Sequence, residues 1–299
     1  MVDEVRRVMG DGAAHGVRLR YAVETEPLGT AGGVKNAADL VGRTVLVLNG
    51  DILTDADLTA MRRFHAQRRA AVTIDLFPVP DPRAYGLVEL DPAGRVRRFV
   101  EKPEPAEVTT NTINAGIYLI DRALLDRIPP GRAVSIEREF FPGLLADDIA
   151  FYGWVGDHYW LDIGNPAQYR LAQIDLMAGK VASDLAAAGP WRNGCRIADD
   201  VVRDPTATIT GACVIGAGSR IEAESRVGPD VVLGRRCQVG RGARITGAVV
   251  WDDVSVGAGA VLADCIVASG ARIGAAAHVG ARVVLDAGCA VPDRARVTA

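Results

Sequence analysis

Cys213-Val214-Ile215-Gly216-Ala217-Gly218-Ser219-Arg220-Ile221-Glu222-Ala223-Glu224-Ser225-Arg226-Val227-Gly228 carries an aliphatic residue at every sixth position. The series continues through Leu233, Val239 and Ile245. It slips by one residue to Val250, Val256 and Leu262, and by one more to Val267, Ile273, Val279, Leu285 and Val291. Two positions before each of these the side chain is small: Cys213, Ser219, Ser225, Val231, Cys237, Ala243, Ala248, Val254, Ala260, Cys265, Ala271, Ala277, Val283 and Cys289. Residues two apart on a strand share a face. Both series therefore point into one narrow interior, where only small partners fit beside the aliphatic ones. A hexapeptide repeat of this kind is the signature of a parallel β-helix.

The repeat accounts for the cysteines. Cys213, Cys237, Cys265 and Cys289 occupy the small inward slot, and Cys195 bears the same relation to Ile197. No CxxC pair occurs. All five are expected to be core packing, neither metal ligands nor a redox pair.

Upstream, residues 1–180 alternate helix and strand signals, as an α/β domain with a Rossmann-like mixed or parallel sheet does. Val2–Met9 reads as a helix and the alternating Val17–Val23 as a strand. Glu24–Gly33 reads as a glycine-rich loop entering a helix that reaches Leu40. Such a loop, between strand and helix, is suited to presenting backbone N–H groups to phosphate. Thr44-Val45-Leu46-Val47-Leu48 is an unbroken apolar run, expected to be a buried strand of a parallel sheet, and it ends in Asn49-Gly50-Asp51. Ligands of open α/β sheets sit beyond the carboxyl ends of such strands. Asp51 is thereby a candidate site carboxylate, with Gly50 allowing close approach to the backbone. Further readings are a helix over 55–69 with His65 on its face and a strand over 72–77. A hairpin over 85–100, a strand over 113–120, a helix over 135–145 capped by Ser135 and strands over 151–155 and 158–161 follow. The last element is a helix from Asn165-Pro166 to about Lys180. The expected division is 1–180, a linker over 181–195, and the β-helix over 196–299.

The 299 residues are 49% apolar with a net charge of −3 and no basic block, which argues against nucleic acid as a partner. No apolar run approaches the roughly 20 residues of a membrane span, and the N-terminus has no signal-peptide core, so a cytoplasmic protein is expected. Of 34 basic residues only Lys35, Lys102 and Lys180 are lysines. A lysine at a structured polar site then marks a need for a compact charge.

The upstream motifs resemble, in order, those of the sugar-1-phosphate nucleotidyltransferases, most closely the mannose-1-phosphate guanylyltransferase type. They are Glu26-Pro27-Leu28-Gly29-Thr30-Ala31-Gly32, Leu48-Asn49-Gly50-Asp51, Tyr85-Gly86, Phe99-Val100-Glu101-Lys102-Pro103, Asn114-Ala115-Gly116-Ile117-Tyr118, Ser135-Ile136-Glu137-Arg138-Glu139 and Trp160-Leu161-Asp162-Ile163-Gly164. The resemblance implies a left-handed β-helix at the C-terminus. It implies transfer of a nucleotidyl group from a nucleoside triphosphate to a sugar 1-phosphate, with pyrophosphate leaving and GDP-mannose as the expected product. It assigns Mg²⁺ to Asp51 and Asp162, the nucleotide to Leu28, Gly29, Thr30, Gly32, Gly50 and Asp51, and the sugar phosphate to Gly86, Glu101, Lys102 and Asn114. Asp51, Lys102 and Asp162 are the expected catalytic residues, and the β-helix is the expected homo-oligomer contact.

The family's opening strand, its Arg-bearing glycine-rich loop and its Pro-Lys-Pro segment have no counterpart in this sequence. The resemblance thus implies a domain lacking its first βα units, roughly 60 residues. It is expected to be inactive alone unless a partner supplies them. Two other readings are a non-catalytic regulatory or assembly subunit and a hexapeptide-repeat acyltransferase. The second would need a basic histidine, and His278, directly before the inward Val279, is expected to point outward.

Overall fold

The computed structural model describes residues 2–183, 191–192 and 194–299. They pack as two compact units, Met1–Gly50 with Ala56–Trp160, and Asp51–Asp55 with Leu161–Ala299.

The first unit is a mixed sheet with helices. Its helices are α1 (Val2–Met9), α2 (Gly29–Asn36), α3 (Leu58–Arg68) and α4 (Phe141–Ala146). Its strands are β1 (Thr44–Leu48), β3 (Val72–Pro78), β4 (Gly86–Leu90), β5 (Val96–Glu101), β6 (Thr112–Asp121) and β7 (Phe151–Val155). β2 (Ile52–Thr54) and β8 (Trp160–Asp162) form a separate two-stranded pair. The main sheet runs β5-β4-β6-β3-β7, with β1 also paired to β6. Only β3–β7 is parallel; the other pairs are antiparallel. The core lies around Ile74, Tyr118, Phe141 and Phe151, all essentially inaccessible to solvent.

β1 corrects the reading of its own sequence. It lies antiparallel to β6, with Leu46 opposite Leu119 and Leu48 opposite Ile117. Leu46 is 39% and Leu48 49% exposed. The apolar run reported hydrophobicity but not direction, which is a property of chain topology. Met61 of α3 covers Ile117 and Leu119 on that face, leaving Leu46 and Leu48 beyond its reach. The expected strand over Val17–Val23 does not form either. Leu19 N–H bonds to Asp11 O at 2.7 Å, so a backbone donor that a ladder would need is taken by the preceding segment, and Tyr21 Oη donates to Gly10 O at 2.6 Å. The remaining upstream elements fall close to their expected places. Ser135 caps its helix by accepting from Arg138 N, and Asn165 caps α5 (Pro166–Met177) by accepting from Gln168 N. His65 is buried, with its Nδ1 2.8 Å from Thr73 Oγ1, and burial lowers its pKa.

The second unit is built on the β-helix. Among the described residues its strands form three parallel six-stranded sheets. Register explains the one-residue slips: Cys213 lies opposite Val231, but Val232 lies opposite Val249, one residue earlier than a strict repeat would place it. Both inward series are buried as expected from Cys213 through Val283, while Leu285 and Cys289, near the open end, are half-buried. The cysteines are free thiols. Burial pushes those of Cys213 and Cys265 up to about 12, so they stay protonated and inert. His278 is exposed.

The expected first domain ends at 180 and so includes α5, whose contacts run to the β-helix. Arg170 Nη1 donates to Gly247 O (3.2 Å) and pairs with Asp264 Oδ1 (3.1 Å), and Tyr169 meets Trp251 edge-on. Helical periodicity shows that a helix has a buried face but not what it is buried against. Of the expected linker 181–195, residues 184–190 and 193 lie outside the described residues. Cys195–Ile197 is already the first β-helix strand, opposite Cys213–Ile215.

Candidate active site

Two carboxylates meet in the second unit. Asp51 immediately precedes β2, and Asp162 ends β8, the strand paired with it. Ile163 N donates to Asp51 O at 2.8 Å, locking the two segments together, and Gly164 N donates to Asp162 Oδ1 at 2.7 Å. A Cβ on Gly164 would stand 2.9 Å from Asp162 Oδ1 and 3.6 Å from Asp51 Oδ2. Both carboxylates therefore reach the space that the missing Cβ leaves. Among the described residues no group of three or more His, Cys, Asp or Glu side chains could hold a metal. Two carboxylates with open positions suit Mg²⁺, which keeps waters and takes substrate phosphate oxygens. Gly164 is the member of this group that the residue assignments did not include, although the motif containing it was legible.

The first unit holds a second cluster. Gly86 of β4 lies opposite Glu101 of β5, and a Cβ on Gly86 would stand 3.0 Å from Glu101 Oε2 and 2.8 Å from the Phe99 ring. Glycine here makes room for Glu101 to lie across the strand. Leu87 lies opposite Ile113, so Gly86 and Asn114 are neighbours along that register. Asn114 Oδ1 accepts from Gly116 N at 2.9 Å and its Nδ2 donates to Tyr118 Oη at 2.8 Å, leaving one amide N–H for a ligand. Lys102 is exposed, with φ at 51° directly before Pro103, and its N–H bonds to Tyr85 O at 3.0 Å.

Burial raises the Glu101 carboxyl above its usual range, Glu137 adds to this, and Lys102 and Arg138 oppose it. Its proton is held more tightly in the folded state. Glu101 thus costs stability as pH rises from about 4.5 through its folded pKa. Glu101→Gln is expected to raise the Tm at pH 7, with the gain vanishing below about pH 4.5. Thermal melts of both proteins across that range check this; an unchanged difference at all pH values would refute it.

The glycine-rich segment has a different explanation from the one its composition suggests. Ala31 N and Gly32 N both donate to Val134 O, at 2.9 and 3.3 Å, so these N–H groups are already used. Gly29 has φ at 70°, and a Cβ there would stand 2.7 Å from Val134 O; on Gly32 it would stand 2.9 Å from Arg132 O. The glycines permit close packing against 132–134. Gly32 is buried, Leu28 half-buried, and Gly29 and Thr30 are exposed. Thr30 Oγ1 donates to Glu137 Oε2 (3.0 Å) and accepts from Ile136 N (2.7 Å). Glu137, also held by Ser135 Oγ at 2.9 Å, joins this cluster although the sequence reading assigned it no role. Gly50 is different: a Cβ there meets nothing within 4 Å, so packing does not demand glycine.

Two family models match the chain, Nucleotidyl transferase over residues 2–178 and the EIF2B subunit epsilon LbH domain over 192–297. The mannose-1-phosphate guanylyltransferase of Mycobacterium tuberculosis is 42% identical over 255 residues, 85% of this chain and 65% of the relative. Mannose-1-phosphate guanylyltransferase 1 of Arabidopsis thaliana is 33% identical over 286 residues, 93% of this chain and 73% of the relative. The chain thus spans just under two thirds of the mycobacterial relative's length. Among solved structures, HddC from Yersinia pseudotuberculosis superposes with a TM-score of 0.50 at 26% identity, over 57% of this chain and 72% of that one. With the model match covering the mixed-sheet domain and α5, and a left-handed β-helix following, this chain belongs to the nucleotidyl transferase family.

Proposed function

We propose that this protein transfers a nucleotidyl group to a sugar 1-phosphate, and that the product is GDP-mannose. The observation that carries the reading is the pair Asp51 and Asp162, turned into the space beside Gly164. The relatives named mannose-1-phosphate guanylyltransferase support the choice of guanosine and mannose.

In the reaction, a phosphate oxygen of the sugar 1-phosphate forms a bond to the α-phosphorus of the triphosphate. The bond from that phosphorus to the bridging oxygen breaks, and pyrophosphate leaves with the electron pair. Two polyanions must be brought together, so positioning and charge compensation dominate. Asp51 and Asp162 would hold Mg²⁺, which when bound neutralises phosphate charge. Lys102 supplies a compact ammonium for the sugar phosphate from the turn directly before Pro103. Glu101 and the remaining amide N–H of Asn114 orient the sugar, with Gly86 keeping the strand surface low beneath Glu101. Leu28, Gly29 and Thr30 serve the base and ribose, with Gly32 as the packing residue behind them; Gly50 leaves room beside Asp51. The protein works in the cytoplasm as a homo-oligomer with contacts through the β-helix. Among the described residues no helix is long and apolar enough to cross a membrane.

The test is Mg²⁺-dependent pyrophosphate release across pairs of nucleoside triphosphates and sugar 1-phosphates. GTP with mannose 1-phosphate is expected to give the highest kcat/KM. Release that favours another pair would overturn the GDP-mannose assignment, and no release with any pair, from this chain or from one extended upstream by the family's opening βα units, would overturn the enzyme reading.

A further inference from the structure

The second unit contains a cavity of about 380 Å³ between the end of α5, β2 and the first coils of the β-helix. Its walls are mostly apolar: Leu53 of β2, Leu176 and Met177 of α5, Trp191, and Val214 of the β-helix. Val214 stands between the inward Cys213 and Ile215, so it faces outward from the prism into this cavity. Arg196 is the only charged side chain among the described residues that line it. Its Nε is buried and has no hydrogen-bond partner. An unsatisfied buried donor is costly, and on a charged group more so. The volume falls within the range of small-ligand sites, which combine apolar walls with a few fixed polar groups.

We infer that this cavity is an effector site for a small amphipathic anion, an aromatic or acyl body carrying one carboxylate or phosphate. The anion pairs with the Arg196 guanidinium, and the body fills the apolar space beside Trp191. The effector role rests on the metal reading of Asp51 and Asp162. Leu53 forms a wall of the cavity, and β2 is a three-residue strand directly following Asp51 and paired with β8, which ends in Asp162. A ligand that shifts Leu53 shifts the strand that follows a metal carboxylate. By linkage, ligand and metal then alter each other's affinity.

The probe is 2-naphthoate, with neutral 2-naphthylmethanol as its isostere, titrated calorimetrically into the full chain. Saturable one-to-one binding of naphthoate is expected, weakened about 10- to 100-fold in Arg196→Gln. The alcohol should bind the two proteins equally. Val214→Trp, which fills the cavity from outside the prism, should abolish binding of both. No saturable binding to the unsubstituted protein, or equal naphthoate affinity in Arg196→Gln, overturns the site. Mn²⁺, replacing Mg²⁺, is titrated by water-proton relaxation with and without saturating naphthoate, and its Kd is expected to move by about fivefold or more. An unmoved Kd overturns the effector role. If Mn²⁺ fails to bind even without naphthoate, the metal reading fails and the effector role with it, while the calorimetry still decides the cavity.

Discussion

Asp51→Asn and Asp162→Asn are each expected to lower Mg²⁺-dependent pyrophosphate release by about 10²–10³-fold and to leave the fold intact. The side chains differ by one charge, and charge is what the proposed role requires. The structural roles of these residues survive the change. Asp51 is exposed, and its link to Ile163 runs through its backbone oxygen. An asparagine at 162 retains an oxygen to accept from Gly164 N. Thermal melts of both variants should therefore match the parent within about 0.5 kcal/mol. The Mg²⁺ concentration for half-maximal rate should rise in each. Activity within threefold of the parent, in a protein that melts normally, would remove both residues from the metal site. Gly164→Ala gives an independent check. Its new Cβ would stand 2.9 Å from Asp162 Oδ1, so the carboxylate must turn away, and the Mg²⁺ requirement should rise although no charge is lost.

The second large effect is expected in the β-helix. Ala243→Leu should destabilise the chain by about 2–3 kcal/mol, read from urea denaturation. Ala243 is fully buried, and in the register of its sheet its neighbours above and below are Ser225 and Ala260. This column of small side chains faces the prism's aliphatic residues. Three extra carbons there must displace residues such as Ile245 or move the coil. Because each coil touches only its neighbours, the strain is not diluted through a larger core. Arg244→Leu, one residue away on an exposed position, is the control and should change stability by no more than about 0.5 kcal/mol. Equal effects at 243 and 244 would refute the inward assignment of the small series.

These two regions were legible to different degrees. The β-helix could be read almost residue by residue, since a six-residue period imposes the same environment on each repeat and the small and aliphatic slots follow. Asp51 and Asp162 were legible as motif residues, but their meeting was not. It depends on a two-stranded pairing between segments more than a hundred residues apart in the chain. Glu137 is not legible as a site residue, because an acid in the first turn of a capped helix has an ordinary local explanation. Its bonds to Thr30 and Ser135 belong to tertiary structure. The same holds for Asp75. It lies inside an apolar strand, fully buried and 3.2 Å from His158, a pairing that no local pattern marks.

Local periodicity and turn chemistry were enough for the β-helix, the inert cysteines, the outward His278 and the caps at Ser135 and Asn165, because each depends on neighbours a few residues away. Tertiary structure alone decided that Thr44–Leu48 pairs antiparallel and exposes two leucines. It also decided that Val17–Val23 is not a strand, that α5 rests on the β-helix, and that the glycines of 29–32 serve packing against Val134. Each of these depends on which distant segment supplies the hydrogen-bond partner or covering surface, and hydrophobicity along the chain does not encode that choice.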